Sequence, residues 1–319
     1  MESVKINPWW CIHQPKHFIM KTGLTLLYSL ILTLGNIDAQ TLKPYWGGQM
    51  TETSFTEAQS TVREGIEAQG LEILGEYQPA KDANRWVLVY TSSDIQSAVK
   101  SSGPERAYAL AQRIAIYKSA EGIHLSATNP SYWCAAYFQD DYESVQSKVK
   151  STEGKLKAVF KAAAISNPLA YGSQEGLDLD DLYEYQYMFG MPEFEDQVRL
   201  KKFKSIEEAQ AALKRGLAKN SAEAQLVYST ALEGKKAALY GIGLSGADGE
   251  QKFLPIIDID NPKHTCFLPY EILILDNEVY MLHGRYRIAL SFPDLTMRTF
   301  SKIMSTPGDI EDAMGNLLE

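Results

Sequence analysis

The sequence predicts an α+β fold of two tandem two-layer α/β sandwiches, each a mostly antiparallel sheet covered by helices on one face. Three observations predict it. The order helix, strands, hairpin, helix occurs twice along the chain. Each half contains a β-hairpin, which joins antiparallel strands directly. Strands and helices do not alternate as a doubly wound parallel sheet would require.

The first helix of each half is predicted by a capping signal followed by an apolar stripe. Ser54 precedes Glu57 by three residues and Ser205 precedes Glu208 by three, which is the spacing of a capping box. Apolar residues then recur at helical spacing in both segments. The two segments coincide at five positions with a constant offset of 151 residues, which indicates an internal duplication.

Strand-like runs and a hairpin follow each of these helices. The first half has "LEILGEY", "RWVLVYT", the short helical "DIQSAVKSS" and the hairpin "RIAIYKSAEGIHLSAT". The second half has "AQLVYST", "KAALYGIGLSG", "KFLPIIDID", the hairpin "EILILDNEVYML" and the strand-like "RYRIALSF". A proline-marked break, Asn129-Pro130 or Phe292-Pro293, comes after each hairpin and before the closing helices.

The N-terminal segment has the three parts of a secretory signal peptide. Lys21 provides the basic flank, an apolar segment of eleven residues runs from Leu24 to Leu34, and Ala39 offers a small residue at the cleavage site. The apolar segment is shorter than the ~20 residues that span a bilayer. We therefore expect export to the periplasm or the medium after cleavage near Ala39, and no membrane span in the mature chain.

These signals divide the chain into four segments. Residues 1–39 are an N-terminal extension plus the signal peptide, 51–165 the first α/β repeat, 166–198 a connector rich in acidic and aromatic residues, and 199–319 the second repeat. The formal net charge of -9 argues against a nucleic-acid backbone binder, which needs a basic face.

Two cysteines, Cys134 and Cys266, remain after the predicted cleavage. Export permits a disulfide between them. Their apolar neighbours, in "YWCAAYF" and "HTCFLPY", favour buried free thiols instead.

The first half resembles the family known as domain of unknown function 302. The resemblance is carried by the leading helix "SFTEAQSTVREGIEAQG" and by the hairpin with its closing Asn-Pro-aromatic, "RIAIYKSAEGIHLSATNPSYW". The second half supplies the Leu-Pro before the family hairpin, "FLPYEILILDNEVYML". The resemblance covers residues 51–164 and, more faintly, 203–318. It implies a small α/β sandwich that pairs as a dimer, with no established reaction and no catalytic residues. We therefore expect a monomeric pseudo-dimer or a homodimer.

Polar residues of the second half form the main group of ligand-binding candidates. In "IIDID", Asp258 and Asp260 would share one strand face, and in "RYRIAL" Arg285 and Arg287 would do the same. A salt-bridged face is the plainer interpretation. The alternative is a polar pocket that binds an anion through the arginines.

Histidines and aromatics extend this group. His264 and His283 could join Asp258 and Asp260 as metal ligands, although the sequence does not favour a metal. Tyr132 and Trp133, which follow the first hairpin, are expected to close the core, or alternatively to form the floor of a ligand groove.

The motif "GIGLSG" matches the dinucleotide pattern G-x-G-x-x-G. The pattern requires a helix directly after it. Asp248-Gly249 reads instead as a turn into a second strand, so the glycines are assigned to strand positions and no nucleotide cofactor is predicted.

Three classes of function remain. The first is an exported module that binds an unknown small molecule or protein, or has a structural role. The second is an enzyme with a site around Asp258, His264 and Arg285, and the third is a metal or redox accessory protein. The first is preferred because no residues have both the types and the spacing of a catalytic group. Convergence of the three named side chains would favour an enzyme.

Overall fold

Two antiparallel sheets organise the part of the chain that the computed structural model describes, residues 41–51 and 53–319. Residues 41–319 group into one compact unit. The predicted signal peptide at 1–39 lies outside the described residues. No helix within the described residues is both long enough and apolar enough to cross a membrane.

The first sheet has the strand order β2-β3-β4-β5-β1-β6, and every neighbouring pair is antiparallel. Its first and last strands in the chain lie outside the predicted segment 51–165. The strands are β1 (Tyr45–Met50), β2 (Glu72–Tyr77), β3 (Arg85–Thr91), β4 (Gln112–Ser119), β5 (Gly122–Thr128) and β6 (Leu169–Tyr171).

The second sheet has the order β8-β9-β10-β11-β7, again antiparallel throughout. Both predicted hairpins are confirmed, as β4-β5 and β10-β11. The strands are β7 (Val198–Lys202), β8 (Ala224–Ala231), β9 (Ala237–Leu244), β10 (Tyr270–Leu275) and β11 (Glu278–Met281).

The helices fall between and after the strands, as an α+β fold requires. Short 3-10 turns occupy Pro79–Lys81, Pro104–Leu110, Gln139–Asp141, Thr265–Phe267 and Ser301–Ile303. The α-helices are α1 (Phe55–Ala68), α2 (Ser93–Ser102), α3 (Pro130–Phe138), α4 (Tyr142–Ala162), α5 (Leu179–Tyr183), α6 (Ile206–Lys219), α7 (Glu250–Ile257), α8 (Gly284–Ser291), α9 (Met297–Phe300) and α10 (Thr306–Asn316).

The predicted helix starts are confirmed at α1 and α6. The Ser54 hydroxyl accepts a hydrogen bond from the Glu57 N–H, and the Glu57 carboxylate accepts one from the Ser54 N–H, which completes a capping box. The Ser205 hydroxyl caps α6 by accepting from the Glu208 N–H, but the Glu208 carboxylate accepts from the Lys204 N–H, so the box is not completed there. These contacts satisfy backbone donors that the first turn of a helix leaves without partners.

Both faces of the first sheet are buried. On one face Trp86, Leu88 and Ile114 pack with α1 and α4 in a separate core cluster. On the other face Val87 and Val89 belong to a core shared with the second sheet. The predicted helical layer is therefore present, and the opposite face is covered by the second half of the chain.

Strands β1 to β5 of the first sheet have the same topology as the five strands of the second. When these strands are numbered along each half, their order across each sheet is second, third, fourth, fifth, first. In both halves the chain forms a helix between the first and second strands and another between the third and fourth. A side chain at Gly65 of α1 would press on Val159 of α4, and one at Gly216 of α6 would collide with the backbone of Leu317. In each half a glycine thus allows the first helix to approach the closing helical segment.

Two predicted strands are helices in the structure. The segment "KFLPIIDID" forms α7, which ends at Ile257, and "RYRIALSF" forms α8. The prediction was wrong because a short apolar run has no decisive period, and because α8 is buried on nearly every side. Asp258 and Asp260 therefore do not share a strand face, and neither do Arg285 and Arg287.

Candidate functional site

A cavity of about 520 Å³ opens beside the edge of the first sheet. Its walls are strand β6, the end of α7 with the loop that follows, and the loop after α8. The predicted candidates Asp258, Asp260 and His264 all line it. The structure thus brings these three residues together, although through loops rather than along a strand.

His264 lies among aromatic rings at the back of this cavity. Its ring stacks on Phe292 at 4.6 Å between centroids and tilts against Tyr45 at 4.8 Å and Tyr171 at 5.7 Å. Nδ1 is 3.1 Å from the carbonyl oxygen of Ser291. Burial lowers the pKa of His264, so the ring is neutral at neutral pH.

The contact with Ser291 fixes the tautomer of His264. A neutral imidazole that donates from Nδ1 to a carbonyl has its lone pair on Nε2. Within the described residues Nε2 has no hydrogen-bond partner, and the ring borders the cavity. The back of the cavity therefore offers a hydrogen-bond acceptor that a ligand can occupy.

Asp258 is committed to holding the loop in place. It is 3% exposed, pairs with Arg85 of β3, and accepts hydrogen bonds from the Thr265 hydroxyl at 2.9 Å and the His264 N–H at 2.7 Å. Because Arg85 neutralises the carboxylate, Asp258 is a positioning residue for His264. It is not a free acid or base.

The rim of the cavity has both acidic and apolar groups. Asp260 and Asp294 are exposed, and Lys43 is the basic side chain at this rim among the described lining residues. Leu169 and Ile259 are 63% and 62% exposed beside them. This combination suits an amphipathic ligand with a cationic or hydrogen-bond-donating group.

The two arginine candidates, Arg285 and Arg287, do not line the His264 cavity. Arg285 lines a different cavity, together with Met297 of α9. Arg287 is buried, lies 4.7 Å above the ring of Trp133, and donates to the carbonyl of Phe267 at 2.6 Å. The predicted joint arginine face is absent because these residues lie on a helix, where alternate residues point in different directions.

Tyr132 and Trp133 belong to the core. Their exposures are 0% and 1%, and the Trp133 indole donates to the carbonyl of Pro44 at 2.8 Å. They close the core, as the plainer interpretation expected, and do not form the floor of a groove.

The cysteines are free and buried in the structure, so the alternative of a disulfide is not supported. Burial raises the pKa of the Cys266 thiol to about 12 and raises that of Cys134 further. Thiols in this state are poor nucleophiles and poor metal ligands.

The metal alternative also fails on geometry. Among the described residues no three His, Cys, Asp or Glu side chains are grouped closely enough to hold an ion. His283 is not part of the cavity. It caps α8, where its Nδ1 accepts a hydrogen bond from the Arg285 N–H at 3.1 Å.

The motif "GIGLSG" lies in a different local structure from the one predicted. A helix, α7, does follow the glycines, contrary to the prediction. The start of α7 is already occupied by the chain's own Glu250, which accepts from the Leu244 N–H at 3.2 Å. The nearby cavity is lined by the acidic Glu223, Asp248 and Asp309, which would repel a pyrophosphate.

Several cavity residues could not be found from the sequence. Lys43 of the rim precedes the predicted first repeat, as does Tyr45, which packs on His264, and Asp294 follows the second proline break. A signal that could have indicated Tyr45 is the strand-like "KPYWGGQM", which contains β1 and brings Tyr45 against His264.

No protein-family model matches this chain, and no curated protein matches it. Among solved structures, the chain is similar to an uncharacterized conserved protein, DUF302, from Bacillus stearothermophilus. The match has 11% sequence identity and a TM-score of 0.33, and it covers 37% of this chain and 97% of the other. A TM-score this low supports no conclusion about function.

Proposed function

We propose that this protein is a binding module whose cavity at His264 holds a small amphipathic ligand with an amine or another hydrogen-bond donor. The observation that supports it most is the neutral His264 ring, oriented by the Ser291 carbonyl, with Nε2 free to accept from a ligand. The acidic rim at Asp260 and Asp294 favours a cation, and the apolar flank at Leu169 favours a hydrophobic body.

The enzyme alternative is less well supported. It required Asp258, His264 and Arg285 to converge, but Arg285 lines another cavity and Asp258 is neutralised by Arg85. A redox role has as little support, because the thiols of Cys134 and Cys266 are buried with raised pKa values.

We further propose that the two halves arose by duplication and form a pseudo-dimer within one chain. Helices α3 and α8 exchange reciprocal hydrogen bonds. The Tyr132 hydroxyl donates to the Leu290 carbonyl at 3.0 Å, and the Tyr286 hydroxyl donates to the Ala136 carbonyl at 3.3 Å. The same offset of 154 residues relates the donor Tyr132 to the donor Tyr286 and the acceptor Ala136 to the acceptor Leu290. Such reciprocity is the mark of a twofold interface, where each partner makes the same contact.

Export remains part of the proposal. It depends on the signal at 1–39, and sequencing the N-terminus of the protein recovered from the periplasm or medium tests it. A mature N-terminus at Gln40 agrees with cleavage after Ala39, whereas an intact chain retained in the cytoplasm contradicts it.

The ligand proposal is tested with probes of matched size. Phenethylamine should produce saturable changes in the ¹⁵N resonances of the His264 ring, whereas phenylacetate should bind more weakly because of the acidic rim. His264→Phe keeps an aromatic ring against Phe292 and removes Nε2. Isothermal titration calorimetry, which needs no His264 resonance, should therefore detect phenethylamine binding to the wild type and none to this variant. His124→Phe, at a histidine on the first hairpin, is the matched control.

Two outcomes contradict the proposal. One is the absence of saturable binding by phenethylamine, and the other is equal binding by the His264→Phe variant. Binding should also weaken as the pH falls below the lowered pKa of His264, because the protonated ring no longer accepts a hydrogen bond.

A further inference from the structure

A second cavity, of about 220 Å³, lies on the other side of Leu295 from the first. We call it the methionine groove. Its polar groups are few, and one of them is a cation. The side chains that define it are Met188, Met191, Met297, Met304, Phe300 and Arg285.

Four of the nine methionines of the chain meet in this groove. They come from two distant segments, the connector and the region of α9. Met188, Met297 and Met304 are 46%, 55% and 60% exposed, so the apolar surface is uncovered within the described chain. Methionine is flexible and polarizable, and groups of methionines adapt to apolar ligands of varied shape.

Arg285 is the cation of the groove. The side chain is exposed and forms no ion pair with any residue in 41–51 or 53–319. It lies in the first turn of α8, where the helix dipole disfavours a positive charge. An anion beside Arg285 would remove this unfavourable interaction.

We propose that the methionine groove binds a free aliphatic monocarboxylate of medium chain length. The alkyl chain lies along the methionines, and the carboxylate pairs with the Arg285 guanidinium. The volume is below the ~300–1,000 Å³ of sites for drug-sized ligands, which indicates a short chain such as octanoate. The site is separate from the His264 cavity and does not depend on its proposed ligand.

Titration of the full chain, labelled with ¹³C at the methionine methyl groups, tests this proposal. Sodium octanoate should shift the resonances of Met188, Met297 and Met304 saturably, with a midpoint on the order of millimolar because the ligand is small. Met50 and Met314 are buried elsewhere and should not respond. The buffer should have low ionic strength, because salt screens the exposed charge.

Matched ligands and variants separate the charge from the apolar contact. 1-Octanol has the same chain without the carboxylate and should bind about fivefold more weakly. Arg285→Gln should weaken octanoate to the same degree and leave 1-octanol unchanged. Arg298→Gln, an exposed arginine of α9 that does not line the groove, should leave octanoate binding unchanged.

Three results would overturn the proposal. They are no saturable shift with octanoate, equal affinity for octanoate and 1-octanol, and unchanged octanoate binding in Arg285→Gln. The phenethylamine titration of His264 reports on the other cavity, so failure at one site is distinguishable from failure at the other.

Discussion

The two halves of the chain differ at a position that corresponds by its distance from the hairpin, because it is closed in the first half and open in the second. Tyr108 and His264 each precede the end of the first hairpin strand, β4 or β10, by eleven residues. Tyr108 is fully buried under Phe194, at 6.1 Å between ring centroids, and its hydroxyl donates to Gln197 at 3.2 Å. His264 is only partly buried and lines the 520 Å³ cavity.

This comparison separates scaffold from site. The contacts that recur in both halves, such as the helix caps and the reciprocal tyrosines of α3 and α8, hold the fold together. Other contacts occur only once. They include the His264 cavity and a buried ion cluster in which Glu271 of β10 pairs with Arg113 of β4 and lies 3.6 Å from Arg287. Mutations should therefore have their largest effects where a contact has no counterpart.

The largest expected effect is at Glu271. Glu271→Ala would leave two buried arginines without their carboxylate, and breaking a buried pair in this way costs about 3–5 kcal/mol. Arg113 and Arg287 are each only 1% exposed, so solvent cannot replace the lost partner. Urea unfolding monitored by tryptophan fluorescence measures the loss.

The control is Glu278→Ala on the neighbouring strand β11. Glu278 pairs with Lys202 and Arg199 at the surface, so its loss should leave the free energy of unfolding nearly unchanged. Equal effects of the two substitutions would contradict the central role of the Glu271 cluster.

Glu250 should make stability depend on pH. It lies at the start of α7 and accepts hydrogen bonds from the Tyr77 hydroxyl at 2.9 Å and the Ala80 N–H at 2.7 Å, both in the first half. Burial raises its pKa to about 7. A raised folded pKa means that the native state retains a proton that the unfolded state loses. The contribution of Glu250 to stability is therefore greatest at low pH and is lost as pH rises through about 7.

The titration of Glu250 should lower the free energy of unfolding by about 3 kcal/mol as the pH rises from 4.5 to 7, as the shift in its pKa requires. Unfolding of the wild type and Glu250→Gln at several pH values isolates it, because other titrating groups cancel in the difference. If the free energy of unfolding changes with pH equally in the two proteins, the carboxyl of Glu250 does not retain a proton in the native state.

The reciprocal tyrosines should have matched, moderate effects. Tyr132→Phe and Tyr286→Phe each remove one buried hydrogen bond to a carbonyl across the α3–α8 interface, which costs about 1–1.5 kcal/mol. A twofold relation predicts similar losses in urea unfolding. A large loss for one variant and none for the other would break the proposed equivalence of the two helices.

The sequence predicted the parts of the fold that local patterns encode. Capping at Ser54 and Ser205 and the alternation in both hairpins depend on neighbours in the chain, and the structure has them where expected. Helices α7 and α8 were predicted as strands because their burial is set by partners distant in sequence. Arg287, for example, stacks on Trp133 of the first half.

The candidate site was predictable only in part for the same reason. His264, Asp258 and Asp260 lie within seven residues, and a polar cluster after an apolar run was a sufficient signal for them. Tyr45 and Tyr171 reach His264 because β1 and β6 pair at the edge of the first sheet, a contact that no local pattern specifies.

The smallest expected effects are at the two caps, and they test the duplication most directly. Ser54→Ala and Ser205→Ala each remove a hydroxyl that accepts from a backbone N–H in the first turn, at a cost of about 1 kcal/mol. In the first half Glu57 also bonds the Ser54 N–H, whereas in the second Glu208 bonds the Lys204 N–H instead. Since that second bond survives either substitution, the two losses in free energy of unfolding should agree within error. A clear difference would mean that α1 and α6, despite their shared spacing of serine and glutamate, do not have the same role in the two halves.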